Sequence, residues 1–280
     1  MLVDAHLHIW RATASYPNPG GTIVSPLSDV PLELLTEYLD EHHVDRAVLV
    51  QPLYPGEDNS YIAACTAAQP ERLAAVCVVD PRAAAAPDRL EYWVRERGCR
   101  GLRLRPRVPA EGEVFGAAST FPLWERCRAL KVVVNVLMDP EHLRALAGLA
   151  ERFPEVPVVI DHMGHPDVTA GVGAPDFQAL LALARRPNVH VKITGHYYYS
   201  RQPHPFQDCW DYVRAVYDHF GAARLIWGSD FPHVLLKVGY RRSLHLPMRA
   251  FGFLSDADPA LAMGQNAVRL YWPGPPGKER

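Results

Sequence analysis

Two histidines, His6 and His8, close the apolar run LVDAHLHIW at residues 2–10. On a strand, residues two apart face the same side, so both imidazoles can address one target. Similar residues recur far along the chain, in IDHMGHP at 160–166 and WGSDFPH at 227–233. His6, His8 and His162 with the carboxylate of Asp230 form a donor set suited to one borderline divalent metal such as zinc. The plainer reading is polar residues where strands become loops. The chain has 13 histidines, and His42, His43 and His219 read as surface residues at helix ends. Three separated segments offering the same donor types favour a site over that reading.

The elements that must hold these residues alternate in character. Short β-branched runs at 2–6, 46–51, 73–79, 100–105, 131–137, 156–161, 189–194 and 224–229 predict strands. Between them, helical spacing runs over about 31–43, 58–69, 87–97, 118–130, 140–153, 174–186 and 207–220. Pro87 and Asp139-Pro140 mark helix starts, and Gly221 marks a helix end. Near-continuous apolar strands such as VPVVI suit a parallel sheet covered on both faces. Eight strands alternating with helices predict an α/β fold, a (β/α)8 TIM barrel spanning 1–280 as a single domain. A doubly wound sheet is the alternative, but no glycine-rich phosphate loop follows the first strand.

Barrel chemistry gathers at the C-terminal strand ends. Those ends offer Gln51, Asp80, Arg103 with Arg105, Asn135, Asp161 with His162 and His165, Lys192 with Thr194, then Tyr197 to Tyr199, and Ser229, Asp230 and His233. Strand alternation turns Asp161 away from His162. It places Arg103 and Arg105 on one face, where they either hold an anionic substrate group or form rim salt bridges. Of the three tyrosines, one is expected to line the pocket, and Tyr197 is taken as that one. The unpatterned stretch at about 10–30 is expected to lie over the mouth.

Composition excludes several classes. Lys plus Arg is 29 and Asp plus Glu is 31, a net charge of −2, with no basic block for a phosphate backbone. Neither a nucleic-acid partner nor a membrane is expected, because no apolar run is long enough to span a bilayer. No basic region followed by a long apolar core opens the chain, so no secretory signal is expected. Five cysteines without a CxxC pair read as reduced residues of a cytoplasmic protein.

The motifs DAHLHIW, IDHMGHP and WGSDFPH resemble the signatures of the amidohydrolase superfamily. More closely, they resemble its amidohydrolase-related branch of sugar lactonases and 2-pyrone-4,6-dicarboxylate lactonase-like hydrolases. VLVQP at 48–52, Asn59, VVDP at 78–81, GLRLRP at 101–106, VKITG at 191–195 and NAVRLY at 266–271 agree in order. The resemblance implies a distorted barrel that hydrolyses lactones of sugar acids or of aromatic-degradation intermediates. It makes Asp230 the general base, with His6, His8 and His162 binding a metal or the substrate carbonyl. The branch is mixed in metal use, so one divalent metal, Zn or Mn, is expected, with metal-independent catalysis as the alternative. Strand 5 offers Asn135 where metal-dependent relatives often place a histidine. Strand 4 offers no carboxylate or lysine ligand, so a binuclear centre is not expected. His165 stands where relatives commonly have Arg or Lys for a substrate carboxylate.

The expected activity is therefore lactone opening by water, with Asp230 and His162 catalytic. Metal ligands would come from His6, His8, His162 and Asp230. Gln51, Arg103, Arg105, Asn135, His165, Tyr197 and His233 would contact a small lactone or carboxylic acid. A metal-dependent decarboxylase of an aromatic or muconate-type acid is the second reading. A barrel that binds a small acid without turnover is the third. A homodimer is compatible with the sequence.

Overall fold

The computed structural model describes residues 1–11, 29–52, 57–255 and 257–273. Eight parallel strands pair in chain order: β1 Val3–Leu7, β2 Arg46–Val50, β3 Leu73–Val78, β4 Gly101–Leu104, β5 Val133–Val136, β6 Val158–Ile160, β7 Val189–Lys192 and β8 Leu225–Ile226. Each overlaps a predicted run. The last strand has only two residues, and the ring closes just beyond it. Ala5 N–H donates to the Trp227 carbonyl at 3.2 Å and His8 N–H to the Phe231 carbonyl at 2.7 Å, with a parallel bridge between Leu7 and Phe231. Asp4 pins this seam by accepting from Ser229 N–H and Tyr240 O–H, both at 2.8 Å. The architecture is a (β/α)8 TIM barrel.

Helices Leu32–Glu41, Ser60–Ala68, Ala86–Arg95, Phe121–Leu130, Leu143–Arg152, Pro175–Ala182 and Trp210–Phe220 follow the first seven strands. Their apolar faces, including Leu35, Leu90, Trp124, Leu146 and Val213, pack on the outward strand residues in one continuous cluster. A second cluster fills the barrel itself with Val3, Ala5, Val48, Val50, Ala74, Val76, Val133, Val159 and Ile226. Small and β-branched side chains suit this narrow space, where strands alternate inward and outward residues. The terminal helix Asn266–Tyr271 adds Ala267 and Tyr271 to that cluster and plugs the lower end.

All five cysteines are free and buried. Among the described residues no helix is long and apolar enough to cross a membrane. Of the stretch expected over the mouth, residues 12–28 lie outside the described residues. Its ends meet in an antiparallel bridge between Trp10 and Val30.

Candidate active site

The position of the first two histidines depends on an irregularity in β1. Val3 and Ala5 join the inner cluster, whereas Leu7 and Ile9 join the outer one. Strict alternation from Val3 would have put His6 and His8 outside. The β1–β2 register shifts between Asp4 and Leu7, and this bulge re-aims the chain. Its extra residue turns His6 and His8 inward above Ala5. Gly228 makes room, since a Cβ there would stand 2.6 Å from His6 Cβ. His8 Nδ1 bonds the Val50 carbonyl at 2.7 Å. Its Nε2 faces Asp230 Oδ1 at 3.4 Å, and His6 Nε2 faces the same oxygen at 3.5 Å.

Beneath His6 lies a fully buried charge cluster. Lys192, from the end of β7, donates to His6 Nδ1 at 2.9 Å and to Asn135 Oδ1 at 3.0 Å. It also pairs with Asp161 at 3.0 Å, and Arg103 reaches the other Asp161 oxygen at 3.3 Å. Tyr271 donates to Asn135 Oδ1 from below at 2.7 Å. Burial would raise the Asp161 pKa, but Lys192, His6 and Arg103 outweigh it and hold the carboxyl well below its usual range. Burial, reinforced by the Lys192 charge, pushes His6 down to about 3, so its ring is neutral.

After β6 the chain turns left-handed. His162, Met163, Gly164 and His165 have φ of 52°, 52°, 68° and 54°. Non-glycine residues pay roughly 1–2 kcal/mol each there, a cost associated with functional sites. The turn swings His162 under Gly195, where a Cβ would come within 2.6 Å of His162 Nδ1. That nitrogen meets Thr194 Oγ1 at 2.7 Å. His162 and His6 rings stand edge-on, 4.7 Å between centroids. His165 sits nearer the rim, with Nδ1 on the Met138 carbonyl and Nε2 on Arg107, both at 3.0 Å.

Asp230 is the hub. Its backbone is also left-handed, with φ 61°, and its amide donates to the His6 carbonyl at 2.8 Å. Oδ1 faces the two histidines, while Oδ2 accepts from Tyr197 at 2.5 Å and Tyr198 at 2.8 Å. Burial would raise its pKa. The imidazoles of His162, His8, His233 and His6 outweigh that and hold it well below the usual carboxylate range. His233 flanks the outer side, its ring 5.5 Å from that of His8 and stacked at 6.3 Å on Trp10. Two sets of donor atoms lie within 4.8 Å of one another: His6, His162 and Asp230, and His8, Asp230 and His233.

The amidohydrolase family model matches residues 3–272. The chain belongs to the amidohydrolases. L-fucono-1,5-lactonase of Burkholderia ambifaria is 33% identical over 232 residues, 82% of this chain and 80% of that protein. The 4-sulfomuconolactone hydrolase of Rhizobium radiobacter is 32% identical, covering 82% of this chain and 75% of that one. A zinc-bound crystal structure of an amidohydrolase from Burkholderia multivorans superposes with a TM-score of 0.84 at 25% identity, over 97% of this chain and 99% of that one. Family and branch agree with what the motifs imply.

Within this amidohydrolase the structure gathers His6, His8, His162, Asp230, Tyr197 and His233 around one point, with His165 at the rim. It does not gather the others there. Arg105 is taken up by Glu111, its Nε donating at 3.0 Å. Arg103 lies deeper, on Asp161 and the Gln51 carbonyl. The Gln51 amide donates to the Asp58 carbonyl at 2.8 Å. Asn135 is fully buried below Lys192. Two expectations need correction. Asp161 points inward, as alternation from the inward Val159 through the outward Ile160 requires, and it is the left-handed His162 that departs from alternation and turns inward as well. Two tyrosines, not one, reach the pocket, because Tyr197 and Tyr198 lie on a helical turn, His196–Tyr199, whereas Tyr199 donates to the Thr194 carbonyl. Sequence reasoning passed over Lys192 as a site residue. A lysine at the inner end of a parallel strand was the available signal.

Proposed function

We propose that this amidohydrolase hydrolyses a lactone, attacking the ester carbonyl with water and using Asp230 as general base. The observation that carries the reading is the Asp230 carboxylate, buried and ionised, with one oxygen aimed at a wall of imidazoles. Its relatives named above act on lactones, which supports the same substrate class here.

Water adds to the carbonyl carbon as Asp230 takes its proton. Negative charge then grows on the carbonyl oxygen, where preorganised positive or N–H groups lower the barrier. In this reading His162 meets that oxygen, and the bond between its Nδ1 and Thr194 supports the role by holding the ring. Collapse breaks the ring C–O bond, and Asp230 returns the proton to the leaving alkoxide, giving a hydroxy acid. Tyr197, Tyr198, His165 and His233 are the groups available to read substrate hydroxyls and carboxylate.

The donor set fits a divalent metal, with imidazole and carboxylate atoms converging at ligand spacing. His6, His8, His162, His233 and Asp230 are the residues available to hold it. When bound, it supplies Lewis-acid polarisation of the carbonyl. The five free, buried cysteines support a reducing compartment such as the cytoplasm.

A panel of sugar-acid and muconolactone-type lactones, read with a pH indicator, tests the proposal. Turnover is expected, and Asp230→Asn should lower it by roughly 10²–10⁴-fold. A silent panel together with CO₂ release from an aromatic acid would overturn it in favour of a decarboxylase.

A further inference from the structure

Tyr197 and Tyr198 are consecutive, yet both hydroxyls reach one oxygen, Asp230 Oδ2, at 2.5 and 2.8 Å. Burial and the Asp230 charge push both phenols above their ordinary range, so each keeps its hydrogen. The two hydroxyls also neighbour each other. The ionised carboxylate draws both hydrogens all the same, because charge-assisted bonds are roughly twice as strong as neutral ones. A phenol has one hydrogen to give and can also accept. With that hydrogen committed to Asp230, its oxygen can only accept from a group that arrives later.

The two rings differ in setting. Tyr197 packs against the outer apolar cluster. Tyr198 is 44% exposed, and its ring stands 5.6 Å from that of His162 and 6.2 Å from that of His165. The turn that carries it is fixed. Tyr199 donates to the Thr194 carbonyl at 3.0 Å, and Asp208 accepts from Ser200 Oγ and the Arg201 amide at 2.5 and 2.6 Å. Tyr198 is thus a held acceptor beside the carboxylate that activates water.

An anionic substrate group is poorly served here. Asp230 is itself ionised. Arg103 is paired with Asp161, Arg105 with Glu111 and Arg107 with Asp139. Residues 12–28 contain no lysine, arginine or histidine. A hydroxyl suits the place better, because it brings a hydrogen that the Tyr198 oxygen can accept. We propose that Tyr198 is a specificity-determining residue that accepts a hydrogen bond from a hydroxyl on the lactone ring. The substrate is then a polyhydroxylated lactone rather than one bearing a carboxylate. This inference rests on the lactonase reading and narrows its substrate class.

The test compares kcat/KM on hexono-1,5-lactones, on δ-valerolactone (the same ring without hydroxyls) and on muconolactone, which carries a carboxylate. In the unaltered protein a hexono-1,5-lactone should exceed each of the other two by roughly 10-fold or more. Tyr198→Phe should shrink its advantage over δ-valerolactone by roughly 3–10-fold, the worth of one hydrogen bond, chiefly through KM on the hydroxylated ring. Tyr197→Phe disturbs the same carboxylate without touching substrate, so it should lower both rates alike and leave the ratio unchanged. The ratio cancels any general loss of Asp230 alignment. The ranking of the three lactones by unaltered protein decides the matter even where a variant fails to fold. First rank for muconolactone or δ-valerolactone, or an unchanged ratio in Tyr198→Phe, would overturn the inference and leave the lactonase reading standing. Turnover of no lactone at all would overturn both.

Discussion

The lower and upper halves of this barrel are built from the same eight strands by opposite means. Below, Val3, Ala5, Val48, Ala74, Val76, Val133, Val159 and Ile226 fill the interior with apolar side chains, and Tyr271 plugs the end. Above, the same interior holds Arg103, Asp161, Lys192, His6, His8, His162 and Asp230, all buried. The lower strands keep regular inward–outward alternation. The upper ends break it, with a bulge in β1 and left-handed residues at His162, Met163, His165 and Asp230. Packing in the lower half supports the strain and buried charge of the upper half. A change below should therefore cost stability with little effect on turnover, and a change above should cost both.

The largest effect is expected from Asp161→Asn, which leaves Lys192 and Arg103 buried without a full counter-charge. A loss of about 3–5 kcal/mol in denaturant unfolding should accompany a fall in lactone turnover. Unchanged stability would show that the charge cluster does not need Asp161. Gly195→Ala comes next. Its Cβ would meet His162 Nδ1 at a φ of +69°, and displacing that ring should lower kcat/KM by roughly 10–100-fold. Full activity would remove His162 from the chemistry. Val48→Ala in the lower half should cost roughly 2 kcal/mol and leave kcat within about 2-fold. A large kcat change there would break the division between the halves.

The effect of pH is absent near neutrality and grows only on acidification. Burial lowers His6 to about 3 and His196 to about 4, against an ordinary value of 6.5. The unfolded chain therefore binds more protons below pH 6.5. The stability these neutral rings contribute is complete above 6.5 and is lost as pH falls toward 4 and then 3, by up to about 1.4 kcal/mol per unit for each ring. His196→Phe should flatten the acid limb of an unfolding curve. Val48→Ala should shift that curve without changing its slope. Equal slopes in all three proteins would contradict the buried neutral rings.

Much of this was legible in the sequence. All eight strand positions followed from short β-branched runs, because a strand buried on both faces must be apolar almost throughout. His6, His8, His162 and Asp230 stood out because polar residues at the ends of such runs have few other reasons to be there. Alternation counted back from His162 misplaced Asp161, because the left-handed backbone at His162 lets both neighbours face inward. It succeeded for His6 and His8 as a pair, although a bulge decided which face they took. Lys192 was visible at a strand end, but its three partners come from β1, β5 and the turn after β6.

The sequence by itself determined the elements, their order and the residue types available at the barrel mouth, since periodicity and composition act over short stretches of chain. Only the tertiary structure decided how those residues divide their work. Hydrogen bonds between His8 and the Val50 carbonyl, and between Lys192 and His6, join positions 42 and 186 residues apart. They give different partners, a backbone carbonyl and a buried charge cluster, to two histidines that the motif presents as a matched pair.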